Sequence, residues 1–266
     1  MFCKSFLICS LFFLLTGCSS EQSAKHASKT VSLMGKAEPS EAFVPATINL
    51  VGIGDSLTRG LGDESDHGGY FGMVKEMLEQ QDEIKEVLID NYGVIGYKTS
   101  NLQNKLSEED VMASIKEADI ILMTVGGNDL MGVVRNHLFS LDFEPFRKEQ
   151  KHFENRMRDI FTEIRELNSS AYIVYVGLYN PFTYMLSELP ELDTIIDEWN
   201  RASQQIVSKD GNAVFVKVDH LFSSVDDDTL LYKDKFHPNE NGYSIIADQV
   251  FEAIIEYPLD RFANQQ

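Results

Sequence analysis

From Thr47 to Ile255 the chain alternates two kinds of apolar pattern. Short runs such as Ile48 to Ile53 read as buried strands, whereas apolar positions three and four residues apart read as one face of a helix. On this basis a strand spans 47–53, a helix spans 69–80 with Tyr70, Met73, Val74, Met77 and Leu78 on one face, and a strand spans 86–91. Helical segments follow across Thr99–Ala118, then a strand over Asp119–Val125, a long amphipathic helix over Phe146–Leu167 and a strand over Tyr172–Val176. A helix over about 191–208, a strand over Ala213–Val218, an irregular acidic loop to Pro238 and a closing helix over about 240–255 complete the series. Strands that alternate with helices in this way pair in parallel, so the expected class is α/β. No internal repeat is visible.

The first forty-five residues break with this pattern. Met1 to Gly17 carries one charge, Lys4, and its apolar run from Ser5 to Leu15 has the length of a signal-peptide core and is short for a membrane span. The next residues, Leu15-Thr16-Gly17-Cys18, resemble the bacterial lipobox, in which small residues precede a cysteine that is lipidated and becomes the mature N-terminus. Ser19 to about Pro45 is polar and without sustained period, as a flexible tether would be. The expected organisation is a lipoprotein signal peptide over 1–17, a lipidated tether over 18–45, one domain over 46–258 and a tail over 259–266. Lipid on Cys18 would hold the domain at the extracytoplasmic face of the cell membrane.

Composition narrows the partners. A formal charge of −19 argues against a nucleic-acid partner, which needs basic residues to neutralise phosphates, and it disfavours strongly anionic substrates. All three cysteines, Cys3, Cys9 and Cys18, precede the domain, so neither intramolecular disulfides nor thiolate metal sites are expected within it. The six histidines show no metal-ligand spacing such as HExxH, and no metal or cofactor is expected.

Four short segments carry the candidate chemistry: Gly54-Asp55-Ser56-Leu57, Asn91-Tyr92-Gly93-Val94-Ile95-Gly96, Gly126-Gly127-Asn128-Asp129 and Asp234-Lys235-Phe236-His237-Pro238-Asn239. The first stands where a buried strand stops, and in an open α/β sheet ligands bind beyond the strand carboxyl ends. A hydroxyl there needs a base, and the last segment holds one. In an acyl transfer Ser56 would attack the carbonyl, His237 would take its proton and return it to the leaving alcohol, and Asp234 would fix the imidazole tautomer. The N–H groups of Ser56 and Gly96 and the side-chain amide of Asn128 are candidate donors to the oxyanion. Each block also has an ordinary structural explanation: Ser56 and Asn128 as helix caps, the glycines as turn residues, His237 as a solvated loop histidine, and Asp234 as one of an acidic run with Asp226, Asp227 and Asp228. Those explanations would have to coincide four times.

In order and local sequence the four blocks resemble the SGNH or GDSL hydrolase superfamily of esterases and lipases. Its serine, glycine, asparagine and histidine correspond to Ser56, Gly96, Asn128 and His237, with the acid at Asp234; Gly96 is preferred to Gly93 because the family's glycine falls five residues after an asparagine, here Asn91. The resemblance covers essentially the whole domain. It implies a flavodoxin-like three-layer α/β/α sandwich with a five-stranded parallel sheet, cofactor-independent hydrolysis of esters or thioesters, and an exposed active site.

Other candidates rank lower. His220 is the rival base, but no acid stands behind it as Asp234 stands behind His237, and His67 is placed to line a pocket near Ser56. Tyr179, Phe182, Tyr184 and Met185 form an apolar loop suited either to an acyl group or to packing, and Trp199 is read as core. The leading expectation is a lipid-anchored, monomeric serine ester hydrolase acting on lipid or other short-chain acyl esters. The alternatives are an O-acetylesterase acting on envelope carbohydrates and a non-catalytic envelope-binding lipoprotein.

Overall fold

Five strands form one parallel sheet in the order β2-β1-β3-β4-β5 in the computed structural model, which describes residues 45–137, 142–182, 190–223 and 228–256. The strands are β1 (Ala46–Gly54), β2 (Ile84–Gly93), β3 (Ile120–Thr124), β4 (Tyr172–Val176) and β5 (Ala213–Val216). The signal peptide, Cys18, the tether and the tail lie outside the described residues.

The alternation of side chains along each strand sorts the core into two layers. Val51, Ile53, Ile121, Met123, Ile173 and Tyr175 face one cluster, completed by helices α3 (Thr99–Lys105), α4 (Glu109–Glu117), α5 (Gly127–His137), α6 (Phe143–Leu167) and α7 (Pro190–Val207). Ile48, Leu50, Ile120, Leu122 and Val174 face the other, against α2 (Gly69–Glu79) and α8 (Glu240–Ile255). This is the expected three-layer sandwich. Trp199 is fully buried and stacks on Phe153 with ring centroids 4.9 Å apart, a core residue as anticipated.

Strand β2 runs over Ile84–Gly93 rather than 86–91, and three further elements depart from the sequence expectation. Residues Gly127–His137 form α5, although only Leu130 and Val134 are buried apolar positions on it, too few to announce a helix after Gly126-Gly127. The long helix begins at Phe143 rather than Phe146: Asp142 caps it by accepting the Glu144 N–H at 3.1 Å, and Pro145 falls in the first turn, where no backbone N–H is needed. Strand β5 stops at Val216 rather than Val218, because Val218 takes ψ −6° and turns the chain into a 3₁₀ turn over Asp219–Phe222.

Sheet register sets up the site. Gly54 of β1 is level with Gly93 of β2 on one side and Thr124 of β3 on the other, so three loops leave the same carboxyl edge side by side. Connections after β1 and β3 run to opposite sides of the sheet here, the switch point where such folds bind ligands. Only glycine fits at 54: its φ is +137°, and an added Cβ would lie 1.9 Å from the Thr124 carbonyl oxygen.

Candidate active site

Strand β1 ends in a one-turn helix, α1 (Ser56–Arg59), and Asp55 caps it by accepting the Leu57 N–H at 3.1 Å. The same carboxylate oxygen accepts the Thr124 hydroxyl at 2.7 Å, and the Thr58 hydroxyl bonds Thr124 at 2.7 Å. These bonds fix the residues on either side of Ser56 to β3. Burial pushes the Asp55 carboxyl up to about 6, and the hydrogen bonds from Thr124 and Leu57 only partly oppose it.

Ser56 is buried, and its Oγ lies 2.9 Å from His237 Nε2, a contact between residues 181 positions apart. On the far side of the imidazole, Nδ1 lies 2.6 Å from Asp234 Oδ2. The other Asp234 oxygen accepts the N–H groups of Phe236 and His237 at 2.9 and 3.0 Å. Partial burial tends to raise the Asp234 carboxyl, but the bonds from the His237 ring and from these two N–H groups overcome it and hold the group below the usual carboxylate range.

A tight loop makes this possible. Lys235 adopts φ 56°, the Tyr232 N–H bonds the His237 carbonyl at 2.7 Å, and Asn239 both caps α8 through Gly242 and donates to the Thr229 carbonyl at 2.6 Å. From the opposite side the buried Tyr179 hydroxyl donates to the Phe236 carbonyl at 2.6 Å. Tyr179 therefore braces the histidine loop, a role its place in an apolar run did not announce.

The remaining blocks arrive beside Ser56. Asn91 donates to the Thr58 carbonyl at 2.8 Å and accepts the Gly93 N–H at 2.9 Å, so the Gly93 N–H is already engaged. Gly96 lies beyond it at φ +82°, exposed, with open space where a Cβ would stand. Asn128 donates one amide hydrogen to the Tyr97 carbonyl at 3.0 Å, which ties α5 to the Gly96 loop; among the described residues its second amide hydrogen has no partner. Behind it the buried Asp129 accepts the Thr99 N–H at 2.9 Å, the Thr99 hydroxyl at 2.6 Å and Arg156 at 2.9 Å. Sequence reading did not find this clamp between α3, α5 and α6.

His67 is exposed and bonds Glu76 at 2.9 Å instead of lining a pocket. His220 stands 3.8 Å from Asp219, beyond hydrogen-bonding range, and lines a different cleft with Asn180 and Asp193. Tyr184 and Met185 lie outside the described residues. Tyr179 and Phe182 line an apolar cleft of about 50 Å³ together with Ser56, Asn128, Phe236 and side chains of α5 and α7. Among the described residues no group of three or more His, Cys, Asp or Glu side chains is placed to hold a metal ion, and no helix is long and apolar enough to cross a membrane.

A doubly wound sheet with a serine hydroxyl, an imidazole and a carboxylate in file at its open edge has the constellation of serine hydrolases that work by acyl transfer. Within that class the chain is a member of the GDSL-like Lipase/Acylhydrolase family, whose sequence profile matches residues 53–245. It is 38% identical over 249 residues to the uncharacterized protein YpmR of Bacillus subtilis strain 168, covering 93% of this chain and 94% of that one. It is 27% identical over 214 residues to the spore germination lipase LipC of Bacillus licheniformis, covering 77% and 95%. The lipase Lip_vut3 from a goat rumen metagenome has the same fold, with a TM-score of 0.70, 24% identity, and coverage of 78% of this chain and 97% of that one. The chain is thus a hydrolase of carboxylic esters.

Proposed function

We propose that this hydrolase works through a covalent acyl-enzyme on Ser56. His237 Nε2 removes the hydroxyl proton as Oγ adds to the ester carbonyl, and the imidazolium returns that proton to the departing alkoxide. Water then attacks the acyl-serine with the same base, releasing the acid and restoring the hydroxyl. Asp234, accepting from Nδ1, keeps Nε2 free to act as base. The Ser56 and Gly96 N–H groups and the free Asn128 amide hydrogen bind the oxyanion, the charge whose stabilisation is usually the largest catalytic term. The observation that carries this reading is the file of contacts Ser56 Oγ to His237 Nε2 at 2.9 Å and His237 Nδ1 to Asp234 Oδ2 at 2.6 Å.

One chain supplies every group, so a monomer suffices. The Cys18 lipobox supports a lipid-anchored protein at the extracytoplasmic face of the membrane, where lipid esters are at hand. The full-length protein should hydrolyse p-nitrophenyl butyrate, and Ser56→Ala should abolish turnover while leaving the circular dichroism spectrum unchanged. Equal rates for the two proteins would remove Ser56 from the mechanism. Growth with radiolabelled palmitate should label the wild-type protein and leave Cys18→Ala unlabelled; an unlabelled wild type would exclude the lipid anchor.

A further inference from the structure

The peptide bond between Phe236 and His237 is held at both of its polar ends. Its N–H donates to Asp234 Oδ1 at 3.0 Å, and its carbonyl accepts the Tyr179 hydroxyl at 2.6 Å. A peptide is planar, so the two bonds fix the plane and with it the φ angle of His237. The other backbone angle, ψ, is confined by Pro238, because a proline keeps the residue before it extended. The Tyr232 N–H adds a bond to the His237 carbonyl at 2.7 Å. Of these constraints on the histidine backbone, the Tyr179 bond alone comes from outside the loop. Tyr179 is itself stiffly held. Its ring is buried and stacks on Phe222 with centroids 4.2 Å apart. Its two chain neighbours are tied to α7: Leu178 donates to and accepts from Asn200, both at 2.8 Å, and Asn180 donates to Asp193 at 2.7 Å. Burial, with the Asp55 and Asp234 carboxylates adding to it, pushes the Tyr179 hydroxyl well above the ordinary tyrosine range, so it keeps the proton it donates. The Lys233–Glu64 ion pair also reaches the loop, but both side chains are exposed and such a pair contributes little.

We propose, resting on the serine mechanism above, that Tyr179 is a positioning residue for His237, holding the imidazole where Nε2 can both take the Ser56 proton and reach the leaving oxygen. The first task is set by the 2.9 Å contact between Ser56 Oγ and Nε2. The second is the more demanding, because it needs the same nitrogen to meet an atom of the substrate. An ethoxide departs only as it receives a proton from Nε2, whereas p-nitrophenoxide is a stable anion and departs without one. A displaced ring therefore slows an ethyl ester more than a p-nitrophenyl ester of the same acid. A brace that served stability alone would leave the ratio of the two rates unchanged.

The test is kcat/KM of the full-length protein and its Tyr179→Phe variant on ethyl butyrate and p-nitrophenyl butyrate. This constant reports acylation for both esters, so the acyl-enzyme they share does not enter. Tyr179→Phe should lower the ethyl ester by about 10²-fold, the cost of a misplacement of about 1 Å, and the p-nitrophenyl ester by only about tenfold, with a melting curve close to that of the wild type. Equal losses on the two esters, or no loss on either, would overturn the assignment while leaving the serine mechanism intact. If Tyr179→Phe does not fold, Phe222→Leu, which keeps the hydroxyl and removes the ring stacked on it, should lower the ethyl-to-p-nitrophenyl ratio; an unchanged ratio would overturn the assignment. A wild type inactive on both esters would instead count against the mechanism. In that event, or with the ethyl ester alone untouched, the His237 Nδ1–H proton resonance decides: a shift or broadening in Tyr179→Phe supports the positioning role, and an unchanged signal overturns it.

Discussion

The Thr124 hydroxyl donates to the Asp55 carboxylate across 2.7 Å, tying the end of β3 to the residue before the serine. The carboxylate it serves is buried and has its proton affinity raised to about 6. Since the unfolded value is near 3.9, the native state holds the extra proton between the two, and Asp55's contribution to stability is complete below about pH 4 and declines as pH rises through 6. The decline amounts to about 3 kcal/mol at most. Asn at this position keeps the accepting oxygen and cannot ionise. Asp55→Asn should therefore gain on the wild type by roughly 5–9 °C in melting temperature between pH 4 and pH 7. A difference in melting temperature that stays constant across that range would contradict the buried-acid account.

Asp234 acts on the reaction through His237. Its carboxylate accepts from Nδ1 at 2.6 Å; an amide in its place can turn a hydrogen toward that nitrogen and favour the wrong tautomer. Asp234→Asn should lower kcat/KM by about 10³–10⁴-fold with a near-native melting curve, as tautomer disruption does in serine proteases. A loss under tenfold would leave the carboxylate with no part in catalysis.

Asn128 supplies one hydrogen to Tyr97 and, on this account, the other to the oxyanion. Asn128→Ala should reduce kcat by about 10²–10³-fold with little change in KM, because the lost bond belongs to the transition state. A rise in KM at constant kcat would show instead a role in ground-state binding.

Arg156 closes the clamp behind the site. It bonds Asp129, whose side chain is fully buried, as well as Glu149 at 2.7 Å and the Thr99 hydroxyl at 2.6 Å. Removing one partner of a buried pair strands the other charge, at a cost of about 3 kcal/mol. Arg156→Met should show that loss in a urea titration, and adding Asp129→Asn should recover part of it. A loss below about 1 kcal/mol would mean that Thr99 alone satisfies Asp129.

The sequence made the frame of this site legible because its information is local. Continuous apolar runs marked the five strands, and Ser56, Asn128 and the Asp234-to-His237 segment stand in recognisable words at strand ends or in the late loop. What it did not show depends on contacts between distant elements. The Thr99–Asp129–Arg156 clamp joins residues 27 to 57 positions apart. Tyr179 reads as an apolar loop residue until its hydroxyl meets the carbonyl of Phe236, 57 positions on. Helix α5 was anticipated only through Asn128 as a possible cap, because its buried apolar positions, Leu130 and Val134, are too few to stand out in the apolar pattern.

The central claim is that Ser56 is made nucleophilic by His237, and intact-protein mass spectrometry after exposure to an alkyl fluorophosphonate reads it directly. A single adduct on the wild-type protein, mapped to the peptide containing Ser56 and lost in His237→Ala, is the result this account predicts. No adduct, an adduct on another residue, or undiminished labelling of His237→Ala would contradict it.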